Sequence, residues 1–153
     1  LFSDHCTGTV SGNMENFMIP FAIYSKKLIK AKQYDKVLSQ RDIAPTIYDL
    51  AINSYKKDMN SFSGQSLISD SKFFADYFRS GILGWIEEEN VIEINTITKT
   101  MNCFKLEGFT KKEVQCLESH NKIKNRALSF THVSQNLLFN GKTKEFTQYK
   151  KIK

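Results

Sequence analysis

The chain has 153 residues, the length of one domain. With 41% hydrophobic and 12% aromatic residues it can build a packed core, which excludes a wholly disordered chain; a domain of this size buries roughly two-thirds of its unfolded surface. Its formal charge of +6 permits attraction to anions such as phosphate esters, lipid surfaces or nucleic acid, but the positive charge is scattered.

The densest basic runs are Lys26-Lys27-Lys30-Lys32 and residues 142–153, and both read as solvated surface. Neither interleaves its lysines with stacking aromatics, so no nucleic-acid partner is expected. Only Lys150-Lys151-Ile152-Lys153 has the composition of a loose tail. The three cysteines, Cys6, Cys103 and Cys116, exclude a fully paired framework within the chain. Cys103 and Cys116 would pair in an oxidising compartment if the fold brings them together. No apolar run reaches the ~20 residues of a membrane helix, and no secretory signal is visible. The opening Leu1-Phe2-Ser3-Asp4-His5 lacks a Met and reads as the end of a buried strand cut from a longer protein, with any targeting segment upstream.

In chain order, residues 1–3 fit the end of a core strand, and residues 7–16, rich in Gly, Ser, Thr and Asn, fit a loop. Residues 18–24 are a nearly continuous apolar run, the pattern of a strand buried on both faces in a parallel sheet, with Pro20 near its start. Residues 26–36 form a basic surface connection. Asp42-Ile43-Ala44-Pro45-Thr46 opens a helix: Pro suits the first turn, and Asp42 favours the positive end of the helix dipole. Ile43, Ile47, Leu50 and Ala51 would share its apolar face, and it should end near Asn53. Residues 58–71 form a loop.

From Phe73 the period changes. Residues 73–78, 82–86, 91–95 and 100–106 read as short strands, with turns at Arg79-Ser80-Gly81, at residues 87–90 and at about residues 96–99. That spacing predicts an antiparallel meander. Thr110-Lys111-Lys112-Glu113 has the form of a capping box and predicts a helix running to about Asn140, with Val114, Leu117, Leu128, Leu137 and Leu138 as apolar positions and Gly141 as its terminator. The expected fold class is therefore α/β, α+β in its second half: a sheet sandwiched by helices, parallel at first, then an antiparallel meander and a long terminal helix.

Chemistry concentrates at Ser3-Asp4-His5. Asp and His supply one oxygen and one nitrogen ligand, a donor set for a borderline divalent cation such as Zn²⁺ or Mn²⁺. Such ligands sit where strands of an α/β sheet end. An isolated Asp-His pair is usually a surface feature, and the segments behind it give it weight. Ser3-Asp4-His5 resembles the Ser-Asp-His-Gly motif of the alkaline phosphatase superfamily, with Cys6 where Gly or Tyr is usual. Ile19-Pro20-Phe21-Ala22-Ile23-Tyr24 looks like the next strand of this family. Ser39-Gln40-Arg41-Asp42-Ile43-Ala44-Pro45-Thr46-Ile47-Tyr48-Asp49-Leu50 looks like its next helix, and Phe62-Ser63-Gly64-Gln65-Ser66-Leu67 like the loop after it. These matches span about the first half of the chain. Gly81-Ile82-Leu83-Gly84-Trp85-Ile86 looks like a late strand of the sulfatase-like membrane transferases.

The resemblance implies that residues 1–153 are the C-terminal portion of a sulfatase-like catalytic domain. It implies a metal-dependent phospho- or sulfo-ester hydrolase or transferase acting through a covalent enzyme ester, of the membrane-anchored phosphoethanolamine or phosphoglycerol transferase type. Asp4 and His5 would be two ligands of a divalent metal (Zn, Mn, Mg or Ca). The nucleophile would lie upstream of Leu1, so no catalytic residue is assigned here, and this piece alone should not turn over substrate. Thr7 and Thr9 come after the pair, but the family places its nucleophile elsewhere. The partners implied are a phospho- or sulfo-ester, free or lipid-linked, and a membrane reached through the missing N-terminal segments. The implied location is the cell envelope, on the extracytoplasmic face of the cytoplasmic membrane. A true sulfatase, which would carry Cys-x-Pro-x-Arg upstream, and a small basic binding module with an incidental Asp4-His5 are the competing readings. His120 and His132, twelve residues apart, lack the spacing of a helical zinc pair and read as structural or surface residues. Trp85 reads as core, and Glu87-Glu88-Glu89 as a charged turn.

Overall fold

The structure, a computed structural model, describes residues 14–27, 29–51, 62–69 and 71–142. Its centre is a five-stranded antiparallel sheet in sequence order: β1 (Ala75–Arg79), β2 (Ile82–Glu87), β3 (Asn90–Asn95), β4 (Met101–Glu107) and β5 (Thr110–Val114). A short 3-10 turn at Gln40–Asp42 leads into helix α1 (Ile43–Ala51), and helix α2 (Glu118–Phe139) closes the described part of the chain. The class is thus mixed α and β, with the meander and long last helix that the sequence pattern predicts.

Turn chemistry builds the meander. Ser80 and Gly81 both adopt positive φ, 50° and 78°, the conformation of a two-residue hairpin between twisted strands. Glu88 does the same at 54° between β2 and β3. Between β3 and β4, the Asn95 side chain accepts from the amides of Ile97 and Thr98 and folds the loop on itself.

The two faces of the sheet are covered differently. Leu83, Trp85, Ile92, Ile94 and Cys103 point toward α2 and pack on its Ile123 and Ala127. Ile86 and Val91 point the other way, against Met14, with Val37, Ala75, Tyr77, Phe104 and Leu106 around them. On that second face Tyr77 lies directly across from Gly84, and a Cβ at Gly84 would fall 2.0 Å from the ring. Gly84 is therefore the recess that lets the ring lie flat over β2. Phe17 stacks on the same ring at 4.2 Å, and the Tyr77 hydroxyl donates to Glu93 at 2.5 Å.

Three expectations about the strands and the last helix are corrected. Residues 18–24 do not form a two-sided buried strand: only Phe21 makes a bridge, while Met18 is 49% and Tyr24 89% exposed. A strand buried on both faces needs ladder partners, and neither edge of the sheet pairs with this run. Among the described residues no strand pair is parallel; the expected strand at residues 1–3 lies outside them. Residues 110–113 are strand, not the start of a helix. Gly108, at φ 59°, turns the chain so that Thr110 pairs with Glu107 and Glu113 with Phe104, which completes a ladder a helix would forfeit.

The helix faces also differ from those expected. On α2 the buried stripe is His120, Ile123 and Ala127; Leu128 is half-buried, whereas Leu138 is 64% exposed. On α1 the buried residues are Ile43, Pro45 and Thr46, and Ile47 faces solvent. The terminator is as expected: Gly141 takes φ 64° just after the Asn140 cap.

Gly84→Ala should cost about 3 kcal/mol of stability in urea unfolding, because the new methyl must displace Tyr77 from a packed face. A loss under about 0.5 kcal/mol would remove this account of the glycine.

Candidate functional site

Asp4 and His5, with Cys6, Thr7 and Thr9, lie outside the described residues. Among the described residues no group of three or more His, Cys, Asp or Glu side chains is placed to hold a metal. Two polar constellations are built there instead.

The first joins residues 39–49 to residues 62–69. Ser39 caps the 3-10 turn and donates its amide to Asp42 Oδ2 at 2.8 Å. Asp42 is 6% exposed, and its other oxygen accepts the Gln65 amide at 2.8 Å. Thr46 Oγ1 donates to the Asp42 carbonyl and accepts the Leu67 amide at 3.0 Å. Ser66, 1% exposed, donates its hydroxyl to Asp49 Oδ2 at 2.8 Å and accepts the Ile68 amide. Asp42, Thr46 and Asp49 project toward one loop because they stand at i, i+4 and i+7. Gly64 permits the approach: a Cβ there would lie 2.1 Å from the Arg41 carbonyl oxygen. Every one of these polar groups is spent on a backbone or side-chain partner, so this clasp positions chain rather than performing chemistry.

The second constellation surrounds Trp85. The indole, 1% exposed, stacks on Phe74 at 4.2 Å and meets Phe130 of α2 at 5.6 Å. Its Nε1 donates to Glu87 Oε1 at 2.8 Å, two residues along the same strand face. Glu87 is held in turn by Arg126 of α2 through Nε at 2.8 Å and through a second, charged contact from the other nitrogen. Burial pushes the Glu87 carboxyl up, but the bonds from Arg126 and Trp85 outweigh it and leave it below the usual carboxylate value. The same pair holds the Arg126 guanidinium above its ordinary value. Arg41 closes the group, its guanidinium 5.0 Å over Phe74, 4.7 Å over Phe130 and 2.5 Å from Asp76 of β1. Lys72, Phe74, Trp85, Glu87, Arg126 and Phe130 line a cavity of about 460 Å³. On the far face, burial and the neighbouring Glu93 push the Tyr77 phenol far above its ordinary value, so it remains a donor through alkaline pH.

The remaining sequence candidates fall as read except Glu87, which belongs to β2 and not to the expected charged turn. Trp85 is core. His120 is buried, its Nδ1 accepting the Leu117 amide at 2.9 Å, and His132 is exposed; the structure does not bring the two together. Glu88 and Glu89 are the turn, while Glu87 is a partner of α2. The role of Glu87 was readable in part, since its two-residue offset from Trp85 puts both on one strand face, but Arg126 carries no signal in the sequence alone.

Comparison with known protein families, with characterised proteins and with solved structures finds no match to this chain.

Asp42→Asn should cost about 1–3 kcal/mol, because it replaces one of the two acceptor oxygens with an NH2 donor that faces a backbone amide. Hydrogen exchange at residues 62–69 should rise in that variant and in Gly64→Ala; unchanged exchange in both would contradict the clasp. The depressed Glu87 carboxyl sets a pH dependence. Its contribution is complete above the ordinary value of 4.5 and is lost as pH falls through its lower folded value. Glu87→Gln should therefore lower stability at neutral pH by on the order of 1 kcal/mol and flatten the acid limb below pH 4.5. Parallel acid limbs for wild type and variant would contradict it.

Proposed function

We propose that this chain is the C-terminal portion of a sulfatase-like catalytic domain of the alkaline phosphatase superfamily. Its parent would be a hydrolase or transferase of phospho- or sulfo-esters, of the membrane-anchored phosphoethanolamine or phosphoglycerol transferase type. The observation that carries this reading is the clasp. Two segments that resemble the family, residues 39–50 and 62–67, are packed on each other through their own motif residues Asp42, Gly64 and Ser66. The second support is chemical: Asp4 and His5 offer an oxygen and a nitrogen donor, a set that suits a divalent cation.

Asp4 and His5 would be two of the metal's ligands, and the others, with the nucleophile, would come from upstream residues. Such a metal lowers the pKa of a hydroxyl nucleophile and offsets charge on the transferring group. The described residues contribute position: the clasp fixes the chain on one side of the sheet, and the sheet with α2 supplies a rigid support. The Cys103–Cys116 disulfide supports a location outside the reducing cytoplasm, on the extracytoplasmic face of the membrane.

Metal content of the full-length protein tests the reading. Asp4→Ala and His5→Ala should each lower bound metal at limiting concentration by roughly tenfold or more, while the far-UV spectrum is kept. Unchanged metal content in both variants would remove the ligand assignment and favour a basic binding module in which the pair is incidental.

A further inference from the structure

The disulfide joins two unlike places. Cys103 lies in β4, 1% exposed, in the layer beneath α2, whereas Cys116 is exposed on the three-residue link between β5 and α2. Their Cα atoms are 5.3 Å apart. The β4–β5 ladder already fixes the chain as far as Val114, the Cα partner of Cys103. The bond therefore adds a tether on the adjoining segment: Leu117, the His120 side chain that accepts its amide, and the first turns of α2.

Beyond the tether, α2 packs on the sheet through residues between His120 and Phe130. Its buried residues are His120, Ile123 and Ala127, and residues 132–136 and 138–139 are exposed. Its other anchors are Phe130 against the Phe74–Trp85 pair and the Arg126–Glu87 ion pair, of which Arg126 is half-exposed. The sheet has a second core on its other face, around Ile86 and Val91, that does not involve α2.

We infer that the Cys103–Cys116 disulfide is a redox latch on α2: its reduction releases the helix from the sheet while the five strands stay paired. The reductant is a dithiol. One thiolate attacks the sulfur of Cys116, the exposed residue of the pair, and forms a mixed disulfide, and Cys103 leaves as a thiolate that takes up a proton. The second thiol of the reductant then displaces Cys116, which also ends as a thiol. Two electrons and two protons pass to the protein, and the reductant becomes a disulfide. The leaving Cys103 thiolate is born in an apolar layer, which favours the helix lifting so that water reaches it.

The chain has one tryptophan, Trp85, and α2 covers it, so its emission reads the latch directly. The test uses the full chain oxidised in an oxidising compartment, in a Cys6→Ser background that removes exchange with the third cysteine. Mass spectrometry after thiol alkylation should show the Cys103–Cys116 link. A dithiol reductant should then shift Trp85 emission to the red. Amide protection in α2 should fall by roughly tenfold or more, while amides of β2 and β3 keep theirs. Cys116→Ser, which leaves Cys103 in place, should reproduce the reduced state without reductant. Free thiols at both cysteines in the oxidised protein would overturn the latch, as would unchanged emission and exchange on reduction. Equal loss of protection in α2 and in β2–β3 would also overturn it, because the bond would then stabilise the whole domain rather than hold the helix.

Discussion

The arrangement turns on one stack of side chains: Arg41 over Phe74 and Phe130, with Trp85 against the same two rings. Each member comes from a different part of the chain. Arg41 belongs to the turn before α1, Phe74 to the approach to β1, Trp85 to β2 and Phe130 to α2. A large planar cation is suited to this place because it can lie on aromatic faces while its nitrogens reach a carboxylate, here that of Asp76. In this one stack the turn before α1, the sheet and α2 all meet.

Polar groups around the stack extend it without interrupting it. Trp85 satisfies its only donor on Glu87, and Glu87 passes the connection to Arg126 on the same helix that contributes Phe130. To the packing of Ile123 and Ala127 the helix thus adds one aromatic and one charged contact, a turn apart. On the opposite side Arg41 precedes Asp42, so the residue over the rings is neighbour to the carboxylate that fixes the loop at Gln65. A disturbance of the clasp should reach α2 through two adjacent backbone positions.

The hairpins were legible because the information is local. Ser80-Gly81 takes positive φ between two short runs rich in β-branched and aromatic residues. The Gly141 terminator and the Asp42–Pro45 helix start were legible for the same reason. Residues 110–113 misled because Thr-Lys-Lys-Glu satisfies a capping box as well as a strand. The deciding contacts are Lys111 with Glu93 and over the Phe104 ring, which are eighteen and seven positions away. Residues 18–24 misled in the other direction: an apolar run shows that a segment is suited to burial, not that a partner strand stands beside it. The α2 stripe was hidden because a buried His120, placed by its bond to the Leu117 amide, interrupts the apolar period. Of the candidate site, the clasp residues stood out in the sequence, but their use of one another did not, since Asp42 to Gln65 spans twenty-three positions.

The junction between the clasp and α2 rests on Arg41, through the aromatic stack. A double-mutant cycle of Arg41→Met and Phe130→Leu, read by urea unfolding, measures that junction directly. The expected coupling energy is roughly 1 kcal/mol, the size of a partly desolvated cation–aromatic contact. Stability losses that simply add, within about 0.3 kcal/mol, would mean that the clasp and the helix sit side by side without holding each other, and would contradict it.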